Sequence, residues 1–272
     1  MKITIKIMIL IGETINSSIP IAKKLIDEGN FAGIAELAKK QEDAGANFID
    51  VNAGMYLDKE AEILTKIIKA ILPVTSLPIS IDSANPDAVT AGIEACDKRE
   101  IIINSISLEK KRFEGILPIA VKYNTKVIAL PIDDKGIPEL PEDRFSIAEK
   151  LIAALNENGI SNDRIIVDAV ITPVSVNHFN GKYAVDFIKM LKNKYPQIKT
   201  SCGLSNISFG LPSRKNLNRS FLIAAMSSGL DCAILDVLDK RLMSLLYAAN
   251  VILGNDEYCA EYIGAFRNNM LE

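Results

Sequence analysis

FIDVNAGMYLDKEAEILTKIIKAILPVTSLPISIDS, residues 48–83, passes from one apolar segment through a longer amphipathic one to a second apolar segment. Phe48–Val51 and Pro78–Ile81 are short, nearly continuous apolar runs. Such runs suit parallel strands covered on both faces. Between them, Ala61–Leu72 places Ile63, Leu64, Ile67, Ile68 and Ile71 at three- and four-residue intervals, the spacing of one helix face. Each strand-like run ends on polar residues, Asp50-Val51-Asn52-Ala53-Gly54 and Ile81-Asp82-Ser83.

The same unit recurs in both directions along the chain. Further strands are expected at Ile7–Ile11, Ile101–Ile103, Lys126–Leu130, Arg164–Val167, Lys199–Cys202 and Cys232–Leu235. Helices are expected at Gly33–Ala44, from Pro86 onward with Asn85 as N-cap, and at Glu109–Tyr123, Glu142–Asn158, Tyr183–Tyr195, Asn218–Ser228 and Lys240–Leu253. This rhythm gives about eight strand–helix units of roughly thirty residues each. No Pro/Gly/Ser-rich linker divides them, and no GxGxxG follows the first strand. A closed barrel is therefore favoured over a doubly wound sheet. The expected fold is α/β, a TIM (β/α)8 barrel, with residues 1–272 forming a single domain.

Composition narrows the function. With 49% hydrophobic residues in 272, the chain can bury a sizeable core. A formal charge of −3 without a long basic run argues against nucleic acid as a partner. Lys110, Lys111 and Arg112 read as a solvated helix face. Cys96, Cys202, Cys232 and Cys259 lie far apart without a CxxC pair, so no disulfide framework is expected and the cytoplasm is the natural setting. Cys202 reads as a small core residue. His178 is the only histidine, which removes HExxH and multi-histidine metal sites, and it reads as a loop residue. Met1–Ile11 is apolar, but Lys6 interrupts it and no small-residue cleavage site follows. It is read as the first strand rather than a signal peptide, and no segment is long enough to span a membrane.

The informative residues follow the strands. They are Gly12-Glu13-Thr14-Ile15-Asn16, Asp50-Val51-Asn52, Asp82-Ser83, Asn104-Ser105, Asp168, Gly203-Leu204-Ser205-Asn206 and Asp236. In a barrel these ends converge on one mouth, where active sites sit. Singly, each is a common turn or capping residue. Together they place acids and amides around one pocket, which suits a flat ligand presenting several N–H donors and a carbonyl, as a pterin does. A hard cation such as Mg²⁺ or Ca²⁺ is the other occupant such oxygens could take.

Gly203-Leu204-Ser205-Asn206-Ile207-Ser208-Phe209-Gly210-Leu211-Pro212, with Asn218-Arg219-Ser220-Phe221-Leu222 beyond it, resembles the methyltetrahydrofolate:corrinoid protein methyltransferases of the pterin-binding barrel superfamily. The polar strand ends extend the likeness over nearly the whole chain. The resemblance implies tetrahydrofolate or 5-methyltetrahydrofolate as substrate, and a corrinoid (cobalamin) carried by a separate protein. It implies that Asp82, Asn104 and Asp168 hold the pterin edge, with Glu13 also against the substrate. Asn206 then lies near the ring nitrogen that carries the methyl group, and Arg214 reaches the folate or the corrinoid. A homodimer is likewise implied. No resident metal site is expected. Family members often carry Arg at the position of Thr14 and Pro at that of Ala169, departures that bear on loop support and on how Asp168 is presented.

A tertiary amine leaves badly unless its nitrogen is protonated. No general acid stands beside Asn206 in the sequence, so Asn206 is expected to stabilise the protonated nitrogen through its carbonyl oxygen, with Asp82 helping through ordered water. Base-off corrinoid domains carry a DxHxxG signature, but Val176 stands where its Asp would precede His178. The corrinoid is therefore expected from a partner. Two alternatives stand beside this reading. Ser213-Arg214-Lys215 is similar to the SRK motif of dihydropteroate synthase, although it lies well past the strand end. A non-catalytic barrel subunit that cradles a corrinoid protein is the other.

Overall fold

The computed structural model describes residues 8–272, and the Met1–Ile7 part of the expected first strand lies outside them. Eight strands follow one another around the sheet: β1 (Ile9–Asn16), β2 (Phe48–Asn52), β3 (Ile79–Asp82), β4 (Ile101–Ile106), β5 (Lys126–Ala129), β6 (Ile165–Asp168), β7 (Lys199–Ser201) and β8 (Cys232–Leu235). Every pairing is parallel, and the order β7-β6-β5-β4-β3-β2-β1-β8 runs in sequence around the ring. The β7–β8 gap is bridged by Ile234 N donating to Cys202 O at 2.9 Å and Asp231 N donating to Thr200 O at 3.3 Å. The expected (β/α)8 barrel is the observed fold.

The helices are α1 (Pro20–Asp27), α2 (Phe31–Asp43), α3 (Glu60–Ile71), α4 (Pro86–Ala95), α5 (Lys110–Lys122), α6 (Pro141–Glu157), α7 (Asn180–Lys194), α8 (Arg214–Ser227), α9 (Lys240–Ile252) and α10 (Ala260–Arg267). Asn85 caps α4 as expected, accepting from Asp87 N at 3.0 Å with Pro86 in the first turn. The sequence reading misses α1 and α10. Each is only eight residues long, too short for the periodicity to stand out. It also starts α7 and α8 late, because their first turns, Asn180-Gly181-Lys182 and Arg214-Lys215-Asn216, carry no apolar residue to set the period.

A two-residue period makes most of the mouth. Ile49, Val51, Ile79, Ile81, Ile103, Val127 and Val167 face outward and pack under the helices in the main core. The alternate residues Ile11, Phe48, Ile102, Ile128, Ile166 and Cys232 fill the inside of the barrel, with Ile9, Leu130 and Ile234 against them. Two residues further along the same faces, Ile11 gives way to Glu13, Phe48 to Asp50, Ile102 to Asn104, Ile166 to Asp168 and Ile234 to Asp236. Each buried apolar side chain in the lower layers contributes roughly 1.5–3 kcal/mol. That burial offsets the cost of gathering carboxylates at the upper end.

Candidate active site

A cavity of about 330 Å³ opens at the C-terminal ends of the strands, lined by Glu13, Asn16, Asp50, Asp82, Asn104, Arg112, Asp168 and Asn206 among others. Of the residues singled out from the sequence, Glu13, Asp82, Asn104, Asp168 and Asn206 all meet here. Arg214 does not line it. It starts α8, donates to Ser205 O at 2.7 Å and to Ser208 Oγ at 3.1 Å, and lies over the Phe209 ring. His178 is exposed in the loop after β6, its ring against Phe179. Cys202 is fully buried in the main core.

Glu13 projects from an irregularity. Gly12 pairs with Ile49 but Ile15 pairs with Val51, so β1 spends one residue more than β2 at Glu13–Thr14. Such a bulge redirects a side chain. Gln41, on α2 and fully buried, supports it by accepting from Thr14 N through Oε1 at 3.1 Å. A Cβ at position 12 would sit 2.3 Å from that same Oε1, so any larger residue would push Gln41 off Thr14.

Asp82 and Asn104 are held by the residues before them on the barrel. Asn52 Nδ2 donates to Asp82 Oδ2 at 3.0 Å, while Asn52 Oδ1 accepts from Ser17 Oγ at 2.9 Å and Gly54 N at 3.1 Å. Asp50 Oδ1 accepts from Ser80 Oγ at 2.6 Å and from Asn104 Nδ2 at 3.3 Å. The Asn104 amide is thereby turned with its nitrogen tied to Asp50, leaving its oxygen as an acceptor.

Asp168 is buried and its two oxygens each take one internal hydrogen bond, from Val170 N at 2.7 Å and Ser201 Oγ at 2.7 Å. Each oxygen keeps a lone pair for a ligand. The turn after it is strained: Val170 has φ of 48°, a region a β-branched residue rarely enters. Arg144, on α6 and almost wholly buried, holds this turn by donating to Ala169 O at 2.6 Å, Val170 O at 3.2 Å and Pro138 O at 3.0 Å. Ala169 N donates to Ser201 O at 2.8 Å, a bond that proline at that position could not make.

Burial dominates the electrostatics. It pushes the Glu13 carboxyl up to about 7, against the Ser205 hydrogen bond, and Asp82 up to about 6, against Asn52 and the Arg112 guanidinium. Asp50 is raised well above its ordinary value by burial and by the neighbouring Asp82, and Asp168 is raised by burial despite Ser201, Val170 N and Arg144. Arg112 is the residue the sequence misplaces. Rather than joining Lys110 and Lys111 in solvent, it lines the cavity and donates to Ser105 Oγ at 3.3 Å. Arg144, Gln41 and Asn52 carry no sequence signal as site residues beyond the strand-end position of Asn52. Among the described residues, no group of three or more His, Cys, Asp or Glu is placed to hold a metal ion. The arrangement is a cup of oxygen acceptors with one guanidinium, made for a neutral or cationic heterocycle rich in N–H groups.

Known proteins place the chain. The family model described as pterin binding enzyme matches residues 21–236. A methylcorrinoid:tetrahydrofolate methyltransferase of Eubacterium limosum is 33% identical over 269 residues, covering 97% of this chain and 98% of that protein. A methionine synthase of Mycobacterium tuberculosis is 30% identical over 242 residues, or 84% of this chain, which spans only 20% of that longer protein. A dihydropteroate synthase of Coxiella burnetii solved with pteroic acid superposes with a TM-score of 0.70 at 16% identity, covering 93% of this chain and 96% of that one, a likeness of fold. The chain belongs to the pterin-binding enzyme family, on the branch of its tetrahydrofolate- and corrinoid-dependent methyltransferases.

Proposed function

We propose that this enzyme moves a methyl group between tetrahydrofolate and the cobalt of a corrinoid carried by a separate protein. The observation that carries the proposal is the meeting of Asp82, Asn104, Asp168 and Asn206 in one cavity at the barrel mouth. In this reading Asp168 and Asp82 accept from the pterin N–H groups and the Asn104 oxygen accepts beside them. Asn206 stands by the nitrogen that gives or takes the methyl group. Folate and corrinoid are both substrates, and the open mouth leaves room for the carrier protein to approach. The relative from Eubacterium limosum, named as a methylcorrinoid:tetrahydrofolate methyltransferase, supports the assignment. The test is methyl transfer run both ways, from 5-methyltetrahydrofolate to cob(I)alamin and from methylcobalamin to tetrahydrofolate, followed in the visible spectrum. No transfer in either direction, or condensation of a pterin pyrophosphate with p-aminobenzoate instead, would overturn it.

Asp168→Ala is expected to weaken folate binding by roughly 1–3 kcal/mol, because pterin donors lose a buried partner. Calorimetry giving wild-type affinity would remove Asp168 from the pterin edge.

We further propose a single-domain cytoplasmic protein that works as a homodimer. All four cysteines are free, as a reducing compartment requires. Among the described residues no helix is long and apolar enough to cross a membrane. Ile252, Tyr258 and Phe266 near the C-terminal end are 84%, 88% and 69% exposed, and large apolar side chains left open are what a second copy would cover. Light scattering that reads the mass of one chain would overturn the dimer.

A further inference from the structure

Glu13 Oε1 accepts from Ser205 Oγ at 2.6 Å, across 192 residues of sequence. Ser205 immediately precedes Asn206, and Glu13, Gly203 and Asn206 all line the cavity. Asp82, by contrast, is bonded to Asn52 and belongs to the β2–β4 side with Asn104. Glu13 is therefore the carboxyl tied to the loop that presents Asn206.

We propose that Glu13 is the acid–base group of the methyl transfer, exchanging a proton with the folate N5 while Asn206 orients it. The inference rests on the methyl-transfer reading above and names the proton donor that reading lacks. When 5-methyltetrahydrofolate is the donor, the electron pair of cobalt(I) forms the new bond to the methyl carbon. The pair of the N5–CH3 bond returns to N5. The Glu13 O–H proton bonds to N5, leaving Glu13 as a carboxylate. In the opposite direction N5 of tetrahydrofolate attacks the methyl carbon, cobalt leaves with the electron pair of its bond, and the Glu13 carboxylate takes the proton from N5.

The surroundings suit both roles. Burial pushes Glu13 up to about 7, so acid and base forms are both available near neutrality. Asp236 beyond β8 raises it further, while Ser205 and Arg214 of α8 draw it down. Asp50 on β2 and Cys202 after β7 are the other titratable groups that feel its charge, and Gln41 behind the bulge is neutral.

The experiment compares wild type, Glu13→Gln and Ser205→Ala in both directions of transfer from pH 5 to 9, with folate affinity measured alongside. In wild type, transfer from 5-methyltetrahydrofolate is expected to fall as pH rises through the Glu13 transition, and transfer to tetrahydrofolate to rise through it. Glu13→Gln is expected to slow both by about 10²-fold, the usual share of a general acid, and to lose both slopes while folate affinity stays close to wild type. Ser205→Ala removes a hydrogen bond that favours the carboxylate, so both transitions are expected to move to higher pH. Wild-type rate and slopes in Glu13→Gln, or unmoved transitions in Ser205→Ala, overturn the Glu13 assignment alone. A wild-type protein that transfers no methyl group in either direction overturns the methyl-transfer reading and this inference with it.

Discussion

Asn206→Ala is expected to lower turnover by on the order of 10²–10³ while leaving the thermal midpoint unchanged, the effect of removing one oriented polar group at a reacting atom. The structural role that would compete with this is a cap on the turn after β7. The geometry does not show one. The 3-10 turn Leu204–Ser208 is preceded by Gly203 with no side-chain cap, and Asn206 engages the turn through its backbone, Asn206 O accepting from Phe209 N at 3.1 Å. Its side chain makes no hydrogen bond among the described residues, is exposed to the cavity and lies close over Gly203. A side chain that stabilises nothing in the free protein can be truncated without unfolding it, so kinetics and stability separate cleanly. Steady-state rates with saturating folate, set beside a melting curve, make the comparison. A loss of less than about fivefold in turnover at intact folate affinity would leave Asn206 as a bystander.

Much of this site was legible because a barrel strand has period two. Ile102 and Asn104, or Ile166 and Asp168, must share a face once the strand is recognised, so a polar residue two beyond an inward apolar one belongs to the mouth. Strand ends are local, and so Asp82, Asn104 and Asp168 could be named from the chain. The groups that hold them are not local. Gln41 reaches Thr14 from α2, Arg144 reaches Ala169 from α6, and Ser205 reaches Glu13 from 192 residues further along the chain. Nothing in the residues around Arg144 distinguishes it from any other helical arginine. Arg112 failed for a different reason. Three consecutive bases on a helix look like a solvated face, but successive residues point about 100° apart, and the third turns into the cavity. The β1 bulge is hidden in the same way, because the extra residue shows only when the pairing register is known.

Arg144→Met should be the most damaging single change to stability outside the apolar core. The guanidinium is nearly inaccessible, with burial pulling it below its ordinary value and Asp168 holding it up. It satisfies the carbonyls of Pro138, Ala169 and Val170. Methionine fills much of the volume but donates nothing. Those carbonyls lose their partner, the left-handed Val170 loses its clamp, and Asp168 loses its nearest cation. Breaking a buried charge arrangement from one side costs about 3–5 kcal/mol, which lowers the melting midpoint by on the order of 10 °C in a chain of this size. The sign of the pH dependence follows from Asp168. Its folded-state value is already raised by burial, so its share of stability is complete at low pH and is lost as pH rises through that value. Removing Arg144 raises it further, because ionisation then has no cation to offset the desolvation. The deficit of the variant is therefore expected to be smallest at pH 5, with Asp168 more nearly neutral in both proteins, and to grow toward pH 8. Paired thermal melts at the two pH values measure it. A deficit under about 1 kcal/mol, typical of an exposed ion pair, or one that shrinks as pH rises, would mean that Arg144 neither clamps the Val170 turn nor balances Asp168. The presentation of that carboxylate to the cavity would then need another cause.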